Sequence, residues 1–196
     1  MKIFKKFMKH IYLVLLKCYN YIIEFFCCNN VYSLNKGGVA METALSRVNS
    51  IEFAIYLTQR ANERNIHLNV TKLQKLLYIC YGLYLSYAEE YLLDERPEAW
   101  QYGPFFPEVH KKQKENNDSL EVLIPRISED RFKEYDFLID AVLEAFGTWT
   151  AMNLVEWTHQ KGTAWHKKYV IQDRQKDFLD NFDIKLDFNK FVKIKE

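Results

Sequence analysis

The sequence predicts a mostly α-helical fold, a compact multi-helix domain with a small two-stranded antiparallel β element. Three observations carry this expectation. Apolar residues recur at helical spacing, most clearly at Leu73, Leu76, Leu77, Cys80, Tyr84, Tyr87, Ala88 and Tyr91. Capping residues precede the apolar-periodic windows. Glycine and proline are scarce, 6 and 4 among 196 residues, which argues against a turn-rich β-sandwich and against disorder.

The elements follow in order. Ser50 is placed to cap SIEFAIYLTQRANERN, which shows an apolar side at Ile51, Ala54, Ile55, Tyr56 and Leu57 and ends in polar residues near Asn65. Thr71 and Gln74 have the spacing of a capping box, opening the strongest helix of the chain, Thr71 to Tyr91. Its tyrosines at 78, 81, 84, 87 and 91 exceed what a core requires, so some are expected at its rim. EAWQYGPFFP, residues 98–107, then reads as a strand, a stiff corner and a helix start. Trp100 and Tyr102 are two apart and share a strand face, so both are expected to pack inward on the Thr71–Tyr91 helix. Pro104 biases Gly103 towards an extended conformation, and Pro107 suits the first position of a helix, with Glu108 at its positive end.

Leu120, Val122 and Ile124 alternate and are expected to supply the pairing strand. Ser128 is placed to cap a helix running through SEDRFKEYDFLIDAVLEAF to a stop at Gly147, and Thr150 to cap AMNLVEWTHQK, closed by Gly162. Residues 163–180 read as partly helical. The organisation expected is therefore a leader over 1–40, a helical domain over 41–180 and a C-terminal tail over 181–196.

The leader, MKIFKKFMKHIYLVLLKCYNYIIEFFCCNN and the residues after it, is basic and then apolar. As a signal peptide or a membrane span it is interrupted by Lys17 and Glu24, and it shows no small-residue cleavage site. An interfacial amphipathic helix remains open, which would bring membrane contact wherever residues 1–40 are present. So does a start of translation at Met41, since Gly37-Gly38 can be encoded as a ribosome-binding sequence.

Residues 1–40 hold six Lys/Arg against one acid, leaving 21 bases and 25 acids in the remainder. An acidic domain lacks the clustered cations that phosphate contacts need, so no direct nucleic-acid binding is expected. Of the four cysteines, Cys18, Cys27, Cys28 and Cys80, none forms a CxxC pair, which argues against a zinc ribbon and suits a reducing, cytoplasmic setting. Cys80 lies in LLYICYGLYL, an apolar stretch that raises a thiol pKa instead of activating it. His159 and His166 are seven apart across Gly162, without the companion ligands of a metal site. No phosphate-binding glycine loop or nucleophile elbow is present. The expectation is a protein without catalytic residues, metal or cofactor. A hydrolase using His159 stays as the remote alternative.

Three blocks carry a family resemblance. They are Lys72-Leu73-Gln74-Lys75-Leu76-Leu77-Tyr78; Ala99-Trp100-x-Tyr102-Gly103-Pro104 with Pro107-Glu108-Val109; and Thr158-His159-x-x-Gly162-x-x-Trp165. In order and spacing the chain resembles the Panacea domain family, also described as SocA-like antitoxins or phage-associated proteins. The resemblance implies a mostly helical, cytoplasmic antitoxin of a bacterial or prophage type II toxin–antitoxin pair. Its partner would be a protein toxin, encoded by an adjacent gene and neutralised by direct binding. A second implied route is an adaptor that delivers the toxin to a cytoplasmic protease. Apart from the resemblance, a mobile tail over 181–196 would suit such a route as a tether. The family motif brings no catalytic residue. Lys72, Gln74, Tyr78, Trp100, Tyr102, Gly103, Pro104, Pro107, Thr158, His159, Gly162 and Trp165 are accordingly expected to be structural. Ala164 departs from the proline common before that tryptophan in the family. Phe105 and Phe106, with the basic His110 and Lys111 beside them, are the expected partner contacts, an exposed phenylalanine being a natural hydrophobic anchor.

Overall fold

The computed structural model describes residues 47–192. The expectations for the leader over 1–40 lie outside them. The elements are α1 (Ser50–Asn62), α2 (Val70–Ala88), β1 (Glu98–Trp100), β2 (Gly103–Phe105), α3 (Pro107–Glu115), α4 (Asp136–Phe146), α5 (Ala151–Thr158) and α6 (Asn181–Val192). Short 3-10 turns join α3 to α4, and a π-helical turn, His166–Ile171, lies between α5 and α6. Helices dominate and a two-stranded antiparallel sheet accompanies them, as the sequence predicts. No helix among the described residues is long and apolar enough to cross a membrane.

The central helix is α2. It packs on α1, α3, α4, α5, α6 and β2 and is buried almost continuously from Leu73 to Leu83. This explains its sequence: a helix touched on every side reads apolar on every side. Tyr78 and Tyr81 are buried, whereas Tyr91, beyond the end of the helix at Ala88, reaches the surface. Cys80 is buried with its thiol pKa raised, a small core hydrophobe.

Both expected N-caps move to an asparagine. Asn49 accepts from the Glu52 amide and Asn69 from the Lys72 amide, at 3.1 and 2.9 Å. The Ser50 amide instead donates to Asp94 at 2.8 Å, and Gln74 turns inward instead of back to a capping box. At Thr150 the expected cap holds: its hydroxyl accepts from the Asn153 amide at 3.1 Å, and Asn153 reciprocates.

The sheet is a hairpin inside EAWQYGPFFP, with Trp100 opposite Gly103 and Ala99 opposite Pro104. The expected pairing strand over 120–124 is absent; Glu121–Arg126 is a 3-10 helix. Leu120 and Leu123 are buried while Val122 is 64% exposed, so the true spacing is three, not two. The far edge of β1 is covered by residues 176–178: the Ala99 amide donates to the Asp177 carbonyl, and the Lys176 amide to the Ala99 carbonyl. Ser128 opens 3-10 turns, and the α-helix begins only at Asp136.

Residues 181–192 are not a loose tail. They form α6, which lies along α2. Phe188 is buried edge-on to Tyr78 and Trp157. Gly82 makes this approach possible, since a Cβ there would stand 2.2 Å from the Phe188 ring. Ala164 is used as well: its amide donates to Asp187 at 2.7 Å, a bond that proline cannot make.

Candidate functional site

The three sequence blocks converge at one place, where the hairpin meets α2 and the end of α5. Gln74 is fully buried, and its carboxamide closes on the backbone of Phe106. Its Oε1 accepts from the Phe106 amide at 2.7 Å, and its Nε2 donates to the Phe106 carbonyl at 3.2 Å. The next residue, Lys75, is 1% exposed and donates to the Pro104 carbonyl at 2.8 Å. Burial pushes its ammonium down to about 7, because the charged form loses hydration that one carbonyl replaces only in part. These two polar side chains fix the hairpin on α2.

Gly103 takes φ +100°, and a Cβ there would stand 2.8 Å from both Lys75 Cε and Thr158 Oγ1. The glycine is required on both counts, conformation and close approach. Pro104 is buried behind it, and Pro107 occupies the first position of α3 as the sequence predicts.

From the third block, Trp165 Nε1 donates to the Trp100 carbonyl at 2.7 Å. The His159 ring lies flat on Trp165, centroids 3.6 Å apart, and Tyr169 stacks at 4.8 Å. Burial, with Lys75 nearby, pushes the His159 pKa down to about 4, so the ring is neutral at pH 7. Its Nε2 has no hydrogen-bond partner among the described residues. The ring is held by stacking. Thr158 is buried, with its hydroxyl on the Val155 carbonyl, and Gly162 makes the following turn at φ +91° with open space around it.

Outside this junction opens a cleft of about 460 Å³. Lys75 and Gln74 line its inner part; Trp100, Tyr102, Phe105 and Tyr169 supply aromatic walls. Trp100 and Phe105 stack with centroids 4.3 Å apart, and Phe105 meets His110 edge-on at 5.0 Å. Trp100 Nε1 donates to Glu98 at 2.8 Å, and the Lys176 ammonium lies 5.0 Å from the Trp100 centroid.

The expected contacts divide. Phe105 and His110 line the cleft, and Lys111 is exposed on α3. Phe106 is 0% exposed, packed against Tyr81 and clamped by Gln74; as a surface anchor it is excluded by its burial. Tyr102, expected to pack inward, is 63% exposed at the hairpin tip. Two motif residues lie elsewhere: Tyr78 in the α2–α6 core, and Lys72, whose Nζ donates to the Gly147 carbonyl at 2.6 Å. Sequence reasoning assigned no role to Lys75, Tyr169 or Lys176. For Lys75 a signal exists: it falls three residues before Tyr78 and one before Leu76, inside the face that α2 buries.

Among the described residues, no three His, Cys, Asp or Glu side chains gather to hold a metal. What the arrangement offers is a rigid, aromatic, cationic concavity, suited to recognition.

The comparisons with known proteins agree with the junction. Residues 73–166, nearly half of the chain, match the family model described as antitoxin SocA-like, Panacea domain. No curated protein and no solved structure matches the chain. The matched span begins one residue before Gln74 and ends one residue after Trp165, so it contains the whole convergence of hairpin, α2 and α5. Over that span the chain is similar to SocA-like antitoxins.

Proposed function

We propose that this SocA-like domain is the antitoxin of a toxin–antitoxin pair and neutralises its toxin by direct protein–protein binding. The observation that carries the reading is the family match over residues 73–166, whose blocks build one interlocked junction beneath a surface cleft. The chemistry is that of a binder. Its conspicuous side chains are buried in structural bonds, and its exposed ones are the aromatic and basic types that anchor interfaces. Masking a toxin would bury some 1,200–2,000 Å² in total, which a surface reaching from Tyr102 to α3 and residues 169–176 can begin to supply.

Delivery of the toxin to a cytoplasmic protease is not favoured by the C-terminal segment, since residues 181–192 are packed along α2. The test is co-expression with the product of the adjacent gene. The reading expects a neighbour that arrests growth alone and is rescued by this chain. A neighbour that is harmless, or equally toxic in both conditions, overturns it. An unchanged toxin half-life under rescue separates masking from degradation.

A further inference from the structure

Lys75 is a strange choice for the inner wall of a cleft. A buried ammonium has three protons to donate, and the Pro104 carbonyl is its only hydrogen-bond partner among the described residues. Lys176 adds a second cation. The lining includes no Asp or Glu, although acids outnumber bases beyond residue 40. Glu98 is engaged by Trp100 Nε1, and Asp177 is paired with Lys168 and Arg174. At about 460 Å³ the concavity lies within the range of ligand sites and suits an inserted side chain.

The aromatic walls do not point to a nucleotide. Trp100 is already stacked on Phe105 with Lys176 over its ring, so it offers no free platform for a base. They suit the stem of an amino-acid side chain. Captured chain termini use nests of backbone amides, whereas the donor here is a lysine side chain.

We propose that the cleft receives the carboxylate of an acidic side chain from a partner protein, with the Lys75 ammonium as its inner contact and Tyr102 and Tyr169 beside the inserted stem. This rests on the reading of the chain as a protein binder and names the chemistry its partner presents. A carboxylate supplies the charge-assisted acceptor that Lys75 lacks. Binding therefore favours the protonated form of Lys75.

The test uses the full chain and three short peptides, all acetylated at the N-terminus and the first two also amidated at the C-terminus. One carries a central glutamate, one a central glutamine, and one a central glutamine with a free C-terminal carboxylate. The Trp100 indole and Gly103 amide resonances are followed during titration. The glutamate peptide is expected to give saturable shifts, with binding about tenfold tighter than for the glutamine peptide. Lys75→Met abolishes that preference, and Tyr102→Ala weakens glutamate binding while the circular dichroism stays unchanged. Equal binding of the first two peptides, no shift with either, or a preference kept by Lys75→Met overturns the proposal. Tightest binding of the free C-terminus overturns the assignment to a side chain. Should Lys75→Met fail to fold, the glutamate–glutamine comparison in the parent and in Tyr102→Ala decides. No toxin is needed, so failure of neutralisation would sink the antitoxin reading alone. A toxin neutralised equally by Lys75→Met, Tyr102→Ala and the parent would sink this inference and leave that reading standing.

Discussion

Gly103 shows at one residue how the family motif is tied to structure. Its φ of +100° suits glycine, and its missing side chain leaves room for Lys75 and Thr158. Gly103→Ala is expected to cost about 1–3 kcal/mol, from torsional strain and overpacking together. Chemical denaturation measures the loss, and an undiminished midpoint would show that the junction yields freely. Lys75 gives a pH signature. Its folded pKa of about 7 lies below the ordinary 10.5, so between those values the unfolded chain binds more protons. Stability from this group is therefore full above the ordinary 10.5, falls as pH drops from there to about 7, and is fully lost below about 7. His159, lowered to about 4, acts the same way between about 4 and its ordinary 6.5. Unfolding free energies at about pH 7.5 and about pH 9.5 should differ less in Lys75→Met than in the parent. An identical difference contradicts the assignment.

At the scale of elements, most helices were legible and most boundaries were not. The α2 repeat is long and strongly periodic, so its existence follows from spacing alone. Its cap did not, because Asn69 and Thr71 are both good capping residues: Asn69 takes the role, and Thr71 falls in the first turn, lining the cleft. Leu120, Val122 and Ile124 looked like alternation because a 3-10 helix with buried Leu120 and Leu123 also passes through position 122. The hairpin escaped notice because its loop, Gln101-Tyr102, lacks the usual Asn-Gly signature and places its positive φ on Gly103. The α6 segment has a weak apolar pattern, and its docking depends on Gly82, which is 106 positions before Phe188 in the chain. Gly82→Ala gains up to about 1 kcal/mol of helix propensity but forces Phe188 aside, with a net cost of about 1–3 kcal/mol. Hydrogen exchange reads it locally: amides of residues 184–188 should exchange faster, and unchanged protection there would contradict the packing argument.

In the whole molecule, the candidate site is where three stretches far apart in sequence lock together. Their order and spacing were readable, and that was enough for the family resemblance. What they do jointly was not readable, because it depends on depth. Gln74 and Lys75 are polar residues placed inside, Phe106 is buried while Phe105 lines the cleft, and Tyr102 stands outside. Alternation across a strand cannot foretell which of two neighbouring phenylalanines a carboxamide will clamp.

On the proposed reading a toxin is held at the cleft face, most of whose lining lies within the SocA-like span. Hydrogen exchange of this chain, free and bound to the product of the neighbouring gene, tests it most directly. Protection confined to the hairpin tip, the start of α3 and residues 169–176 is the predicted result. Protection on the opposite side of α2, or no complex at all, would contradict it.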